Sequence, residues 1–164
     1  MNKKPTLHFF CGKMASGKST LARSIAEENN AVLIAEDDWL SKLYPEEIND
    51  FDDYLKYSPR LKAILVQHIQ YLLLQGISIV LDFPGNTPKQ RNWFRSIFDS
   101  VQANHLLHYV AASDELCKQQ LKMRSQEKSE GSAFTTDAEF EAVTKYFQPP
   151  TPEEKFNIKT YQSN

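Results

Sequence analysis

Little in this chain favours a highly charged or oily partner. Its 164 residues carry a formal charge of only −2, which gives no global pull toward nucleic acid or an anionic membrane surface. No segment approaches the roughly 20 apolar residues that a bilayer-spanning helix needs. The basic start Met1-Asn2-Lys3-Lys4 is followed by an apolar run of only five residues, so a signal peptide is not expected. Cysteine is scarce: Cys11 and Cys117 have no metal-ligand spacing, and buried free thiols in a reducing, cytoplasmic setting are expected. No internal repeat and no composition break marks a second domain. A composition of 41% apolar and 24% charged residues is enough for one packed domain over residues 1–164.

What is present is concentrated near the N-terminus. Gly12-Lys13-Met14-Ala15-Ser16-Gly17-Lys18-Ser19 reads G-x-x-x-x-G-K-S, the phosphate-binding P-loop or Walker A motif. An apolar run, Leu7-His8-Phe9-Phe10-Cys11, precedes it, and Leu21, Ala22, Ile25 and Ala26 recur after it at helical spacing. Strand, loop and helix are what the motif needs. Gly12 and Gly17 permit a tight loop whose backbone N–H groups face an anion, and the helix adds its positive end. Lys13, Ala15, Ser16, Gly17, Lys18, Ser19 and Thr20 are the expected nucleotide contacts; Lys18 suits the β- and γ-phosphates, and the Ser19 hydroxyl suits Mg²⁺.

The rest of the chain alternates strand and helix signals, which predicts an α/β fold of three layers with a five-stranded, mostly parallel sheet. Strands are expected at about 6–11, 31–35, 77–81, 105–111 and 156–160. The first helix is expected at about 18–29. From Trp39 to Ser58 the pattern is poor, and short helices broken at Pro45 are expected. Leu61, Ile64, Leu65, Ile69, Leu72 and Leu73 then define one helical face ending at Gly76, with His68 at the edge of the core. Thr87 should cap a helix opening with Pro88 and carrying Trp93, Phe94, Ile97, Phe98 and Val101 inward. Ser113 should cap a helix to about Glu127, and the polar run from about 125 to 135 reads as a mobile lid. Thr136 and Glu139 suggest a capping box for a helix bearing Phe140, Val143 and Phe147.

Phosphoryl transfer needs a held triphosphate, a metal ion, charge neutralisation and a positioned nucleophile. In open parallel sheets ligands collect at the carboxyl ends of strands. Asp37 and Asp38 follow the second strand; Asp37 is the first choice and Asp38 the second for a base toward an attacking hydroxyl, and either residue could instead cap a helix. Asp82 ends the apolar run Ile79-Val80-Leu81, a loose Walker B pattern suited to Mg²⁺. Arg124, ahead of the polar run, can neutralise the transferring phosphoryl group, while Lys118 and Lys122 read as a solvated face. Arg91 and Arg95 share a helix face and either reach substrate or flank the aromatic stripe.

Taken together, Gly12–Ser19, Asp37-Asp38, Leu81-Asp82 and Arg124 resemble the small P-loop kinases. The similarity is to the group of polynucleotide 5′-hydroxyl kinases, zeta-toxins and chloramphenicol phosphotransferases, often grouped with AAA-type ATPases, and it spans about Leu7 to Phe147. The resemblance implies Asp37 as base and Arg124 as a phosphate clamp. One position departs: polynucleotide kinases of this group carry a phosphate-binding arginine where this chain has Leu40. Eight acids against one base between Glu36 and Asp53, a net of −7, point the same way. The expectation is therefore an ATP- and Mg²⁺-dependent kinase of a small hydroxyl-bearing acceptor. The alternatives are a polynucleotide or nucleotide kinase, and a regulatory ATPase or switch.

Overall fold

A computed structural model describes residues 4–127 and 137–163. Its five strands are β1 (Thr6–Cys11), β2 (Val32–Ala35), β3 (Ile79–Asp82), β4 (Asn104–Ala112) and β5 (Ile158–Ser163). They form one sheet in the order β2-β3-β1-β4-β5, and every pairing is parallel. The α/β, P-loop-type architecture expected from the alternating pattern is the one observed, with helices α1 (Lys18–Glu28), α2 (Glu36–Leu43), α3 (Phe51–Leu74), α4 (Pro88–Ser100), α5 (Asp114–Glu127) and α6 (Asp137–Thr144) around the sheet.

β1 is central, and its alternation explains the layers. Leu7, Phe9 and Cys11 face one side, where they pack with the apolar stripes of α3 and α4. Phe10 faces the other side, with Val80 of β3 and Ala22, Ile25 and Ala26 of α1. Both faces are covered, so strands at the centre of the sheet read as continuous apolar runs. Phe9 stacks on Phe94 with ring centroids 4.6 Å apart, an arrangement that adds about 0.5–1.5 kcal/mol beyond area burial.

Local sequence chemistry sets most helix ends. Thr87 accepts from the Gln90 N–H at 3.1 Å with Pro88 in the first turn of α4, as expected. The Ser113 hydroxyl accepts from the Leu116 N–H at the start of α5. Asp50 caps α3 through the Asp53 N–H at 2.8 Å, and Gly76 ends the helix at φ 82°, a left-handed conformation that suits glycine.

The region from 39 to 58 is broken at Pro45 as expected, between α2 and α3, but its second half is not a short helix. It holds most of α2 and the first eight residues of α3, which runs through Pro59 instead of starting beyond it. This opening stretch lacks an aliphatic stripe because it packs by rings, Tyr57 lying 4.3 Å from Tyr44. The buried line of α3 is narrower than expected, with Leu61, Leu65, Ile69 and Leu73 inside and Ile64 72% exposed. His68 is exposed and not a core-edge residue. Helix α6 ends at Thr144, so Phe147 lies beyond it; Thr136, the lid expected at about 125–135 and the proposed capping box lie largely or wholly outside the described residues.

Candidate active site

The carboxyl ends of β1, β2 and β3 converge on a cavity of about 510 Å³. Register explains the convergence. Ala35 of β2 is paired with Asp82 of β3, and β3 lies beside β1, so the acid run after β2 emerges next to Asp82 and both flank the loop after β1. Lys13 to Ser19, Glu36, Asp37 and Asp82 all line the cavity. Gly12 is buried in the loop, and Thr20, one position further into α1, is exposed and outside the lining.

The loop is held by contacts that few other residues permit. Gly17 sits at φ 103°, in left-handed space. A Cβ on Gly12 would lie 2.8 Å from Ser16 Oγ and 3.1 Å from the Val110 carbonyl oxygen. The Gly12 N–H donates to Asn86 Oδ1 at 2.9 Å, and the Asn86 N–H donates to Gln90 Oε1, so the turn after β3 braces the loop. Lys13 pairs with Asp114 at 2.6 Å, tying the loop to the start of α5. Ser16 Oγ is buried and has no hydrogen-bond partner among the described residues. An orphaned hydroxyl in a loop of backbone donors is what a bound phosphate oxygen would satisfy.

Lys18 donates to the Gly12 carbonyl oxygen. Burial pushes its pKa down, while the Asp82 carboxylate opposes that push and Asp37 adds to the opposition. Ser19 Oγ donates to Asp82 Oδ2 at 2.7 Å. Two hard oxygen donors, one of them anionic, fit Mg²⁺, which keeps most of its shell for water and phosphate. No cluster of three or more His, Cys, Asp or Glu that could hold a metal occurs among the described residues. The fit is thus to a metal shared with phosphate oxygens.

The three acids after β2 separate by helical geometry. All lie in the first turn of α2, whose N-cap is Ala35, so neither Asp37 nor Asp38 is the cap that the sequence suggested. Glu36 turns inward and is 1% exposed; it accepts from Tyr54 OH at 2.6 Å and Ser58 Oγ at 2.7 Å. Burial raises the Glu36 pKa, and the two hydrogen bonds counter it. Asp37 faces the cavity, whereas Asp38 points to solvent and pairs with Lys42 at 3.1 Å. Of the eight acids counted between Glu36 and Asp53, only Glu36 and Asp37 line the cavity. The others contribute to a solvated surface.

Arg91 is a clasp and not a substrate contact. It is 1% exposed, pairs with Glu154 at 3.0 Å and donates to the carbonyls of Gly85 and Gln148. Arg95 donates to the Glu154 carbonyl and lies over the Phe156 ring. Arg124 falls near the end of α5, and its side chain is outside the described residues. Both thiols are buried and free as expected, and burial pushes Cys11 up to about 11.

The sequence did not single out several lining residues: Phe51, Tyr54 and Leu55 of α3, Phe83 and Pro84 after β3, and Asn86. The aromatic content of 51–57 just after the acid run was the one available signal.

A family model described as an AAA domain matches residues 7–150. Among the described residues no helix is long and apolar enough to cross a membrane. No curated protein matches the chain in sequence. The fold is similar to a candidate kinase from Chloroflexus aurantiacus, at 16% identity over 98% of this chain and 89% of that one, with a TM-score of 0.76. It is similar to Kti12 of Chaetomium thermophilum in complex with ADP-AlF3, at 14% identity over 97% and 88%, with a TM-score of 0.68. APS kinase of Mycobacterium tuberculosis, in complex with AMPPNP and APS, aligns at 15% identity over 96% and 88%, with a TM-score of 0.61.

Proposed function

The chain belongs to the AAA domain family, and from that premise we propose that it is an ATP- and Mg²⁺-dependent kinase transferring the γ-phosphoryl group to a hydroxyl of a small molecule. One observation carries the reading: Asp37 lines the same cavity as Lys18 and the Ser19–Asp82 pair, so a carboxylate without a place in the loop stands beside the phosphate site. A carboxylate there is suited to orienting an attacking hydroxyl. Kinase names among the structural neighbours agree with this reading, and two of those neighbours hold nucleotide analogues.

In this reading the backbone amides of Gly12 to Ser19 and the orphaned Ser16 hydroxyl bind the phosphates. Lys18 gives up the Gly12 carbonyl for a phosphate oxygen and offsets charge in the transition state. Ser19 and Asp82 would hold Mg²⁺, which supplies charge neutralisation on the phosphates. Asp37 orients the acceptor hydroxyl and takes its proton as the oxygen bonds to phosphorus and ADP leaves. The Arg124 side chain and most of the lid expected at about 125–135 lie outside the described residues, so this reading rests on the residues named above. The buried thiols suit a cytoplasmic setting.

The test is transfer of labelled γ-phosphate to nucleosides, oligonucleotides, sugars and amino alcohols. Product formation that Asp37→Asn reduces by about two to four orders of magnitude supports the reading. Efficient labelling of an oligonucleotide 5′-hydroxyl would make the protein a polynucleotide kinase.

A further inference from the structure

The acceptor side of the cavity carries chemistry of its own. Phe51, Tyr54 and Leu55 from the opening turns of α3 and Phe83 and Pro84 beyond β3 line the same cavity as Asp37 and give it an apolar wall. Leu55 is 53% exposed, at the open end of this wall. The only cations among the described lining residues are Lys13 and Lys18, both in the phosphate loop. Part of the polar lining is already engaged, although Thr144 Oγ1 is buried with no hydrogen-bond partner among the described residues. Tyr54 OH donates to Glu36, Asn86 Oδ1 accepts from Gly12, Gln90 Oε1 accepts from Asn86, and Thr87 Oγ1 accepts from Gln90.

Building on the kinase reading above, we propose that the acceptor is a neutral or cationic alcohol carried on an apolar, ring-bearing body. An acceptor bearing phosphate or carboxylate needs charge-assisted donors, and the wall offers none among the described residues. A flat apolar body instead covers Phe51, Tyr54 and Phe83 and removes the exposed Leu55 surface from water. Its hydroxyl reaches Asp37. The acceptor oxygen forms the new bond to the γ-phosphorus, the bond to the β,γ-bridging oxygen breaks with its electron pair going to ADP, and the hydroxyl proton passes to Asp37. A protonated amine on the acceptor is compatible with the Asp37 carboxylate, where a second anion is not.

The test uses the full chain with Mg²⁺-ATP and four probes: 2-phenylethanol, phenylalaninol, gluconate and glycerol 3-phosphate. Labelled γ-phosphate transfer is measured for each, together with ligand-observed saturation-transfer NMR in the presence of AMPPNP. The expected result is binding of both aryl alcohols and a kcat/KM at least tenfold above those of the two anionic acceptors. A preference for gluconate or glycerol 3-phosphate overturns the proposal while leaving a kinase. If none is phosphorylated, the NMR measurement decides: aryl alcohols that bind no better than the anions overturn it. Leu55→Arg, at an exposed position, should shift selectivity toward glycerol 3-phosphate by about tenfold, and unchanged selectivity removes the wall from the acceptor site.

Discussion

Ser19 Oγ donates to Asp82 Oδ2 at 2.7 Å, joining the first turn of α1 to the last residue of β3. The contact aligns the hydroxyl and the carboxylate before any metal arrives. A hydrogen bond to a charged group contributes about 1.5–3 kcal/mol. Asp82→Asn keeps the shape and removes the charge. It should raise the Mg²⁺ concentration for half-maximal turnover by about ten- to a hundredfold. Titration of turnover with Mg²⁺ at saturating ATP checks this, and an unchanged midpoint would place the metal elsewhere.

Asp37 and Asp38 should behave differently. Asp37→Asn is expected to leave ATP affinity near that of the wild type and to lower transfer by about two to four orders of magnitude. Among the described residues Asp38 pairs with exposed Lys42 four residues on, so Asp38→Asn should cost about 0.3–0.5 kcal/mol of stability and little activity. Calorimetric ATP binding alongside transfer rates separates the two. Loss of transfer in Asp38→Asn alone would reverse the assignment.

The Arg91 clasp predicts a stability effect away from the chemistry. Its guanidinium is buried against Glu154 and two carbonyls that tie Gly85 to the segment after α6. Gly85 itself packs so tightly that a Cβ would come 2.3 Å from the Phe10 carbonyl oxygen. Removing one partner of a buried ion pair costs about 3–5 kcal/mol. Arg91→Leu should therefore move the urea midpoint down by more than 1 M, at a slope of about 1–3 kcal/mol per M. A midpoint within 0.3 M of wild type, on the order of a surface substitution, would contradict the clasp.

The sheet predicts a pH dependence of stability. His8 Nδ1 lies 2.9 Å from His108 Nε2, and His108 Nδ1 lies 2.8 Å from Tyr161 OH, both histidines being buried. Burial, with His8 and Lys159 adding to it, pushes His108 down to about 4, and burial lowers His8 as well. The folded state therefore binds fewer protons than the unfolded chain below the ordinary histidine pKa of 6.5. Stability should be full above 6.5 and fall as pH drops toward about 4, by on the order of 3 kcal/mol for His108. His108→Gln should flatten the slope of unfolding free energy against pH in that window. An unchanged slope would refute the assignment.

What could be read from the sequence was local. The P-loop spacing, the Thr87–Pro88 helix start and the apolar strands each depend on neighbours in the chain, and each is where it was expected. The acid run shows the limit. Glu36, Asp37 and Asp38 are alike in composition, and only the rotation of α2 sends one into the core, one to the cavity and one to solvent. The net charge of −7 weighted all eight acids equally, although most face water. Arg91 read as a substrate contact or a flank of the aromatic stripe because its partner Glu154 is 63 residues away. The acceptor wall was hidden for a similar reason, being assembled from α3 and the turn after β3, which meet only in the fold.

The central claim is phosphoryl transfer and not hydrolysis, and ³¹P NMR of Mg²⁺-ATP with the acceptor panel tests it most directly. The account predicts a phosphomonoester resonance that grows with ADP, and that is lost in Lys18→Ala and about a hundredfold or more weaker in Asp37→Asn. ADP appearing with inorganic phosphate alone, whichever acceptor is present, would contradict it and make the protein a nucleotide hydrolase.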